Sequence, residues 1–134
     1  MKTRVTIGLC VKNGAKVVKT AFDSISIQDY PHELLKLVIV NDGSSDNTLA
    51  LAMEFAKKTD IKTFVISSKG NGLGAARQIV VDNAEGDYIV WEDDDLVLGD
   101  GFLILPLQDL LRPFIQIGLV FLVGIRIDIV CMKI

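Results

Sequence analysis

Residues 87–98 read DYIVWEDDDLVL, an apolar, β-prone run over 88–91 that empties into Glu92, Asp93, Asp94 and Asp95. Four adjacent carboxylates repel one another, and a buried core does not tolerate them unpaired. At the carboxyl end of a strand, the same cluster faces the crevice in which α/β sheets bind ligands. Its natural partner there is a divalent cation, Mg2+ or Mn2+, since hard oxygen ligands suit such ions and the ion bridges to phosphate. Taken alone, an Asp-Asp-Asp run is more often a solvated acidic turn. The rest of the chain decides between the two.

Upstream, strand-like and helix-like segments alternate. Val5–Val11 is β-rich and closes on Lys12, Asn13 and Gly14, a turn signal. Over residues 15–27, Val17, Val18, Ala21, Phe22 and Ile25 recur at helical spacing, until Asp29, Tyr30 and Pro31 stop the run. Residues 37–40 form a second apolar strand, ending in Asn41, Asp42 and Gly43. Ser44, Ser45, Asp46 and Asn47 then offer cap chemistry to a helix with an apolar face of Leu49, Ala52, Met53, Phe55 and Ala56. Residues 61–66 read as a third strand, 70–74 as a glycine-rich turn, 75–83 as a third helix and 88–91 as a fourth strand. This βαβαβαβ order predicts an α/β fold: a mainly parallel sheet with helices on both faces and an apolar C-terminal extension. Polar clusters end three of the strands, and a parallel sheet brings them to one edge.

Composition narrows the function. The 134 residues are 50% hydrophobic with a net charge of −3, which disfavours disorder and a general nucleic-acid surface. Cys10 and Cys131 match no metal-ligand spacing and are too few for a disulfide framework, so a reducing, cytoplasmic setting is the expectation. His32, in a DYPHE turn, reads as a solvated surface residue.

At the shared edge, Asn71, Gly72, Gly74 and Arg77 lie between strand three and helix three. A helix N-terminus suits an anion, and Arg77 adds a bidentate contact to phosphate or base. With Asp42 on one side and Asp93 and Asp95 on the other, the edge has the makings of a nucleoside-diphosphate site. Asp42 would accept hydrogen bonds from base or ribose. A rival fingerprint is present: Gly70, Gly72 and Ala75 fit G-x-G-x-x-A of dinucleotide folds, with Asp93 about twenty residues on. That motif normally follows the first strand and pairs with a lone acid, neither of which holds here. Trp91 reads as core rather than as a stacking platform, and a local alternative for Arg77 is pairing with Asp82 or Glu85.

Residues 4–98 resemble the nucleotide-binding half of the family 2 inverting glycosyltransferases with the GT-A fold. The resemblance rests on TIGLCVKNG, SISIQDYP, VIVNDGSSDNT, NGLGAARQ and GDYIVWEDDD. It implies a Rossmann-like core over residues 1–98 that binds a nucleotide-sugar donor, usually a UDP-sugar, with GDP- and dTDP-sugars also used in the family. Position by position, it implies that Asp42 contacts the base and Arg77 sits beside base or phosphate. Asp93 approaches the ribose, and Asp95, assisted by Asp93, ligands the metal; Asn13, Gly72 and Asp94 complete the donor site. The first-strand motif departs from the family's common form, which has Pro, a small residue and Tyr before the Asn. Cys10, Val11 and Lys12 stand there, so no aromatic stacks on the base from that position. Lys12 is then a phosphate contact or a solvated strand-end lysine.

Residues 96–134 are predominantly apolar, with charges only at Asp100, Asp109, Arg112, Arg126, Asp128 and Lys133. The family's acceptor half, which carries the catalytic base, has no match there, so the base stays unassigned. The tail over 99–134 reads as a helix over 102–111 followed by a strand near 117–123, as a membrane-interface segment, or as a truncated end. Its apolar residues predict self-association or contact with a membrane surface. The expected function is metal-assisted binding of a nucleotide-diphospho-sugar for transfer to an acceptor hydroxyl. The alternative is a truncated, non-catalytic nucleotide-binding remnant or interaction module.

Overall fold

The computed structural model describes residues 3–100, 102–103 and 131–133. Its elements are β1 (Val5–Val11), α1 (Val18–Ser26), a 3-10 turn (His32–Leu34), β2 (Leu35–Asp42), α2 (Thr48–Lys58), β3 (Lys62–Ser68), α3 (Leu73–Asn83), β4 (Tyr88–Asp93) and β5 (Cys131–Lys133). They form one sheet in the order β3-β2-β1-β4-β5. The first four strands are parallel, as the alternating pattern predicts. The fifth pairs antiparallel with β4, Val90 opposite Cys131. No sequence signal pointed to β5; the tail's expected helix over 102–111 and strand near 117–123 lie almost wholly outside the described residues.

Helices cover both faces, which explains why β2 is buried along its whole length. On one face, Val5, Ile7, Leu9 and Val11 pack with Val18, Phe22 and Ile25 of α1 and Ala52 of α2. Phe22 stacks on Phe55 at 4.6 Å between ring centres, joining the two helices. On the other face, Val38, Val40, Ile89 and Trp91 pack with Ala76 and Val80 of α3. Trp91 is therefore core. At the edge, β3 is largely exposed and carries Lys62, a charge that discourages strand addition.

Several local expectations change. The buried stripe of α2 runs through Thr48 and Ala52, with Leu51 and Phe55 packed against it, while Met53 is exposed; helical periodicity counted from Thr48 selects these positions. His32 is not merely solvated: its Nδ1 lies 2.6 Å from Asp60 Oδ1, linking the 3-10 turn to the loop after α2. Lys36, within β2, is buried beside Glu85 at 2.7 Å and lies over the Phe64 ring at 4.4 Å. Lys36 and Lys62 hold the Glu85 carboxyl down to about 2.

Gly8 sets how closely α3 sits. A Cβ there would lie 2.6 Å from Val80 Cγ1 and 3.0 Å from the Trp91 ring, so only glycine permits this approach. Gly8→Ala should overpack this face and cost about 1–3 kcal/mol, read as a lower denaturation midpoint at unchanged m-value.

Candidate functional site

The parallel register delivers the polar strand ends to one place. Cys10 pairs with Val40 on one side and Asp93 on the other, and Asp42 pairs with Ser68. Lys12, Asp42, Ser68 and Asp93 thus emerge at the carboxyl edge on the face that α3 covers.

Asp42 is the best-connected of them. Its Oδ1 accepts from the Ser68 hydroxyl and from the Asn71 amide at 3.1 Å; its Oδ2 accepts from the Gly72 amide at 3.0 Å. These bonds, the Ser68 hydroxyl foremost, hold its pKa below the usual carboxylate range. Two amides expected to face an anion are instead turned onto Asp42. Gly43 makes this possible: its φ is +70°, and a Cβ would meet the Gly70 amide nitrogen at 2.9 Å, so the turns after β2 and β3 interlock.

The turns after β1 and β2 are locked in the same way. Asn13, at φ +54°, takes Ser45 N–H on its Oδ1 at 2.8 Å, and its own amide donates to Ser44 Oγ at 2.9 Å. The Gly14 amide donates to Thr48 Oγ1, and the Ala15 amide to Asp46 Oδ2. A left-handed Asn between a strand and a helix is a turn device. Here its side chain braces the neighbouring loop.

Arg77 is exposed on α3, with its guanidinium 5.6 Å from the centre of the Trp91 ring. It does not use its local alternatives: Asp82 accepts from Gln78, and Glu85 takes Lys36 and Lys62. Cys10 lies beneath. Burial pushes its thiol up to about 11 despite the Arg77 charge, so it stays protonated at neutral pH.

The acidic run splits. Asp95 is exposed and Asp93 half-buried at the edge. Asp94 turns toward the β1–α1 turn, its Oδ2 2.5 Å from where a Cβ on Gly14 would sit, and its pKa is raised by burial and then by its acidic neighbours. Glu92 departs most from expectation. It belongs to β4, is 2% exposed, and neither carboxylate oxygen has a hydrogen-bond partner among the described residues. Burial, followed by the Asp93 charge, pushes it up to about 8. The core accepts this carboxyl by keeping it protonated. Among the described residues, no three Asp, Glu, His or Cys side chains converge to hold a metal by themselves.

Residues 6–130 match the model of glycosyl transferase family 2. The chain belongs to this family. Among curated relatives, poly(ribitol-phosphate) beta-N-acetylglucosaminyltransferase TarS of Staphylococcus aureus is 28% identical over 83 residues, 62% of this chain and 14% of TarS. Cholesterol galactosyltransferase of Borreliella burgdorferi is 33% identical over 101 residues, 72% of this chain and 26% of that protein. The chain thus spans about a quarter or less of these relatives' lengths. Among solved structures, the mannosyltransferase PcManGT of Pyrobaculum calidifontis, in complex with GDP-Man and Mn2+, superposes with a TM-score of 0.73 at 24% identity. It covers 78% of this chain and 31% of its own. S. aureus TarS 1–349 in complex with UDP-GlcNAc gives 0.69 at 22% identity, over 86% of this chain and 32% of its own. At these identities the superpositions show the shared GT-A-like fold.

In this family 2 domain, the structure brings Asp42, Gly72, Arg77 and Asp93 to one face of the edge, with Asn13 bracing the loop beside them. Sequence reasoning missed Ser24 and Gln28. Ser24 Oγ accepts from the Leu98 amide; Gln28 donates to the Gly99 carbonyl and accepts from the Leu103 amide. Ser24 on α1 and Gln28 just beyond its end, both buried, tie down the segment after the acidic run; their only signal was polarity beside a buried apolar stripe.

Two outcomes follow. Asp42→Ala should lower the ligand-free melting temperature by several degrees, because it unpins the Asn71 and Gly72 amides. For Glu92, the folded pKa of about 8 exceeds the usual 4.5, so the folded state holds the extra proton. The Glu92 contribution is full below pH 4.5 and is lost as pH rises toward 8, at about 1.4 kcal/mol per unit of pKa difference. In EDTA, the melting temperature of wild type relative to Glu92→Gln should therefore fall between pH 5 and 8. A parallel pair of curves would contradict a neutral buried Glu92.

Proposed function

We propose that this domain binds a nucleotide-diphospho-sugar along the carboxyl edge of its sheet, for sugar transfer to an acceptor hydroxyl. The observation that carries this reading is the spread of polar groups across the edge. Asp42 and the glycine turn stand on the β2–β3 side, Asp93 ends β4 with Asp95 in the turn just after it, and β1 separates the two sides. Two strand spacings, about 10 Å, match the reach of a nucleoside diphosphate laid from base to phosphates. Asp42 would accept from the base, Asp93 would approach the ribose, and Arg77 would sit beside base or phosphate.

The donor set also suits a divalent ion that arrives with the phosphates. Mg2+ and ions like it are held by one or two carboxylates plus phosphate oxygens, not by an all-protein cage. Asp95 and Asp93 supply that number. When bound, such an ion would offset the charge that builds on the leaving diphosphate. A UDP-sugar is the first candidate donor, supported by the motif resemblance and by the UDP-GlcNAc held by the TarS structure.

Ligand binding confined to the folded state stabilises it by about 2.7 kcal/mol at a hundredfold excess over Kd, a melting shift of several degrees for a domain this size. UDP-, GDP- and dTDP-sugars should be screened with and without Mn2+. At least one donor should give a metal-dependent shift, and Asp95→Ala should remove the metal dependence while leaving nucleoside binding. Absence of any metal-dependent shift across the panel would refute the proposal.

A further inference from the structure

Lys12 is exposed just past the end of β1, and its ammonium has a definite place over the edge. Val11 pairs with Asn41 in the β1–β2 register, so Lys12 is the next residue out, alongside Asp42. Its Nζ and the Asp42 carbonyl oxygen each lie 3.7 Å from the point that a Cβ on Gly70 would occupy. The ammonium therefore leans over the β2–β3 side of the edge, away from Asp93 at the end of β4 and Asp95 beyond it. None of the salt bridges among the described residues involves it. Asp42, for its part, is not saturated. An ionised carboxylate offers about four lone-pair positions; Oδ1 takes two donors and Oδ2 takes one. One acceptor position on Oδ2 remains, close enough to Lys12 to feel its charge, and Lys12 forms no salt bridge among the described residues.

We propose that Lys12 and Asp42 together read the edge of the nucleobase, Lys12 donating to a ring carbonyl and Asp42 accepting from the adjoining ring N–H. This rests on the donor-binding reading above. Uracil, thymine and guanine present a carbonyl beside an N–H. Cytosine and adenine present the reverse, an amino group beside an unprotonated ring nitrogen, and that lone pair would face the Asp42 carboxylate. A site built to satisfy one hydrogen-bond pattern rejects its inverse, here because the buried Asp42 carboxylate would be left facing a lone pair; the exposed Lys12 adds less to the rejection. Lys12 thus serves base selection, while the diphosphate is handled from the β4 side.

Titration calorimetry at fixed Mn2+ would compare wild type and Lys12→Met against UDP, GDP, CDP, ADP and inorganic pyrophosphate. Wild type should bind UDP or GDP at least about tenfold more tightly than CDP and ADP. Lys12→Met should weaken the favoured nucleotide by about tenfold, the scale of one charge-assisted hydrogen bond, and leave pyrophosphate unchanged. Lys12→Arg, which keeps a donor, should retain most of the preference. An equal loss for all four nucleotides and for pyrophosphate would make Lys12 a phosphate contact and overturn the inference. Unchanged affinities in Lys12→Met would overturn it as well. A wild-type domain that binds none of the nucleotides would instead bring down the donor-binding reading beneath it.

Discussion

Parallel pairing of β1 between β2 and β4 is the constraint from which the candidate site follows. Parallel strands end on the same edge, so the chain must turn there after each of them, and every turn brings polar residues. Because side chains alternate across a strand, only a fixed register sends Asp42, Ser68 and Asp93 to the same face. Apolar contacts on both faces hold that register, and Gly8 lets α3 close over one of them. A slip of one residue in β2 would exchange Asp42 for Asn41 at the edge.

The turns at this edge do not depend on the strands alone. Asp42 ties the turn after β3 to the end of β2, and Asn13 with Asp46 ties the turns after β1 and β2 together. Three turns braced by side-chain hydrogen bonds lose less freedom on binding than three independent loops would, which leaves more of the contact energy for the ligand. Asp42 is therefore architectural before any ligand arrives, and its remaining lone pair sits in a position fixed by the other three bonds.

Fold class was legible because hydrophobic periodicity is a local signal: strands β1 to β4 and helices α1 to α3 were marked by runs and turn residues in the chain itself. Asp42 and Asp93 were legible for the same reason, since each stands at the end of an apolar run, and Gly72 and Arg77 for the glycine-rich turn and the helix after it. Pairings between distant residues were not legible. Nothing in the text of the chain says that Asp42 takes the amides of Asn71 and Gly72, or that Ser24 and Gln28 receive residues 98–103, because these contacts exist only after the sheet assembles. Polarity is a poor exit signal for these buried strands. β4 continues through Glu92 and Asp93, and β2 begins two residues early, at Leu35, and takes in the buried Lys36.

Lys36 and Glu92 show two ways in which a buried strand admits an ionisable residue. Lys36 is met by the Glu85 carboxylate, 2.7 Å away, and by the Phe64 ring beneath it. Glu92 has no such partner among the described residues, so desolvation, followed by the Asp93 charge, favours the neutral acid. The difference in environment has a consequence along β4. A neutral Glu92 adds no charge to the run it begins, so the acidic edge presents Asp93, Asp94 and Asp95 rather than four carboxylates. With Asp94 turned toward Gly14, the charge left facing the crevice is that of Asp93 and Asp95. Under the proposed reading, these two carboxylates would hold a divalent ion only together with ligand phosphate oxygens, since two are too few to enclose one.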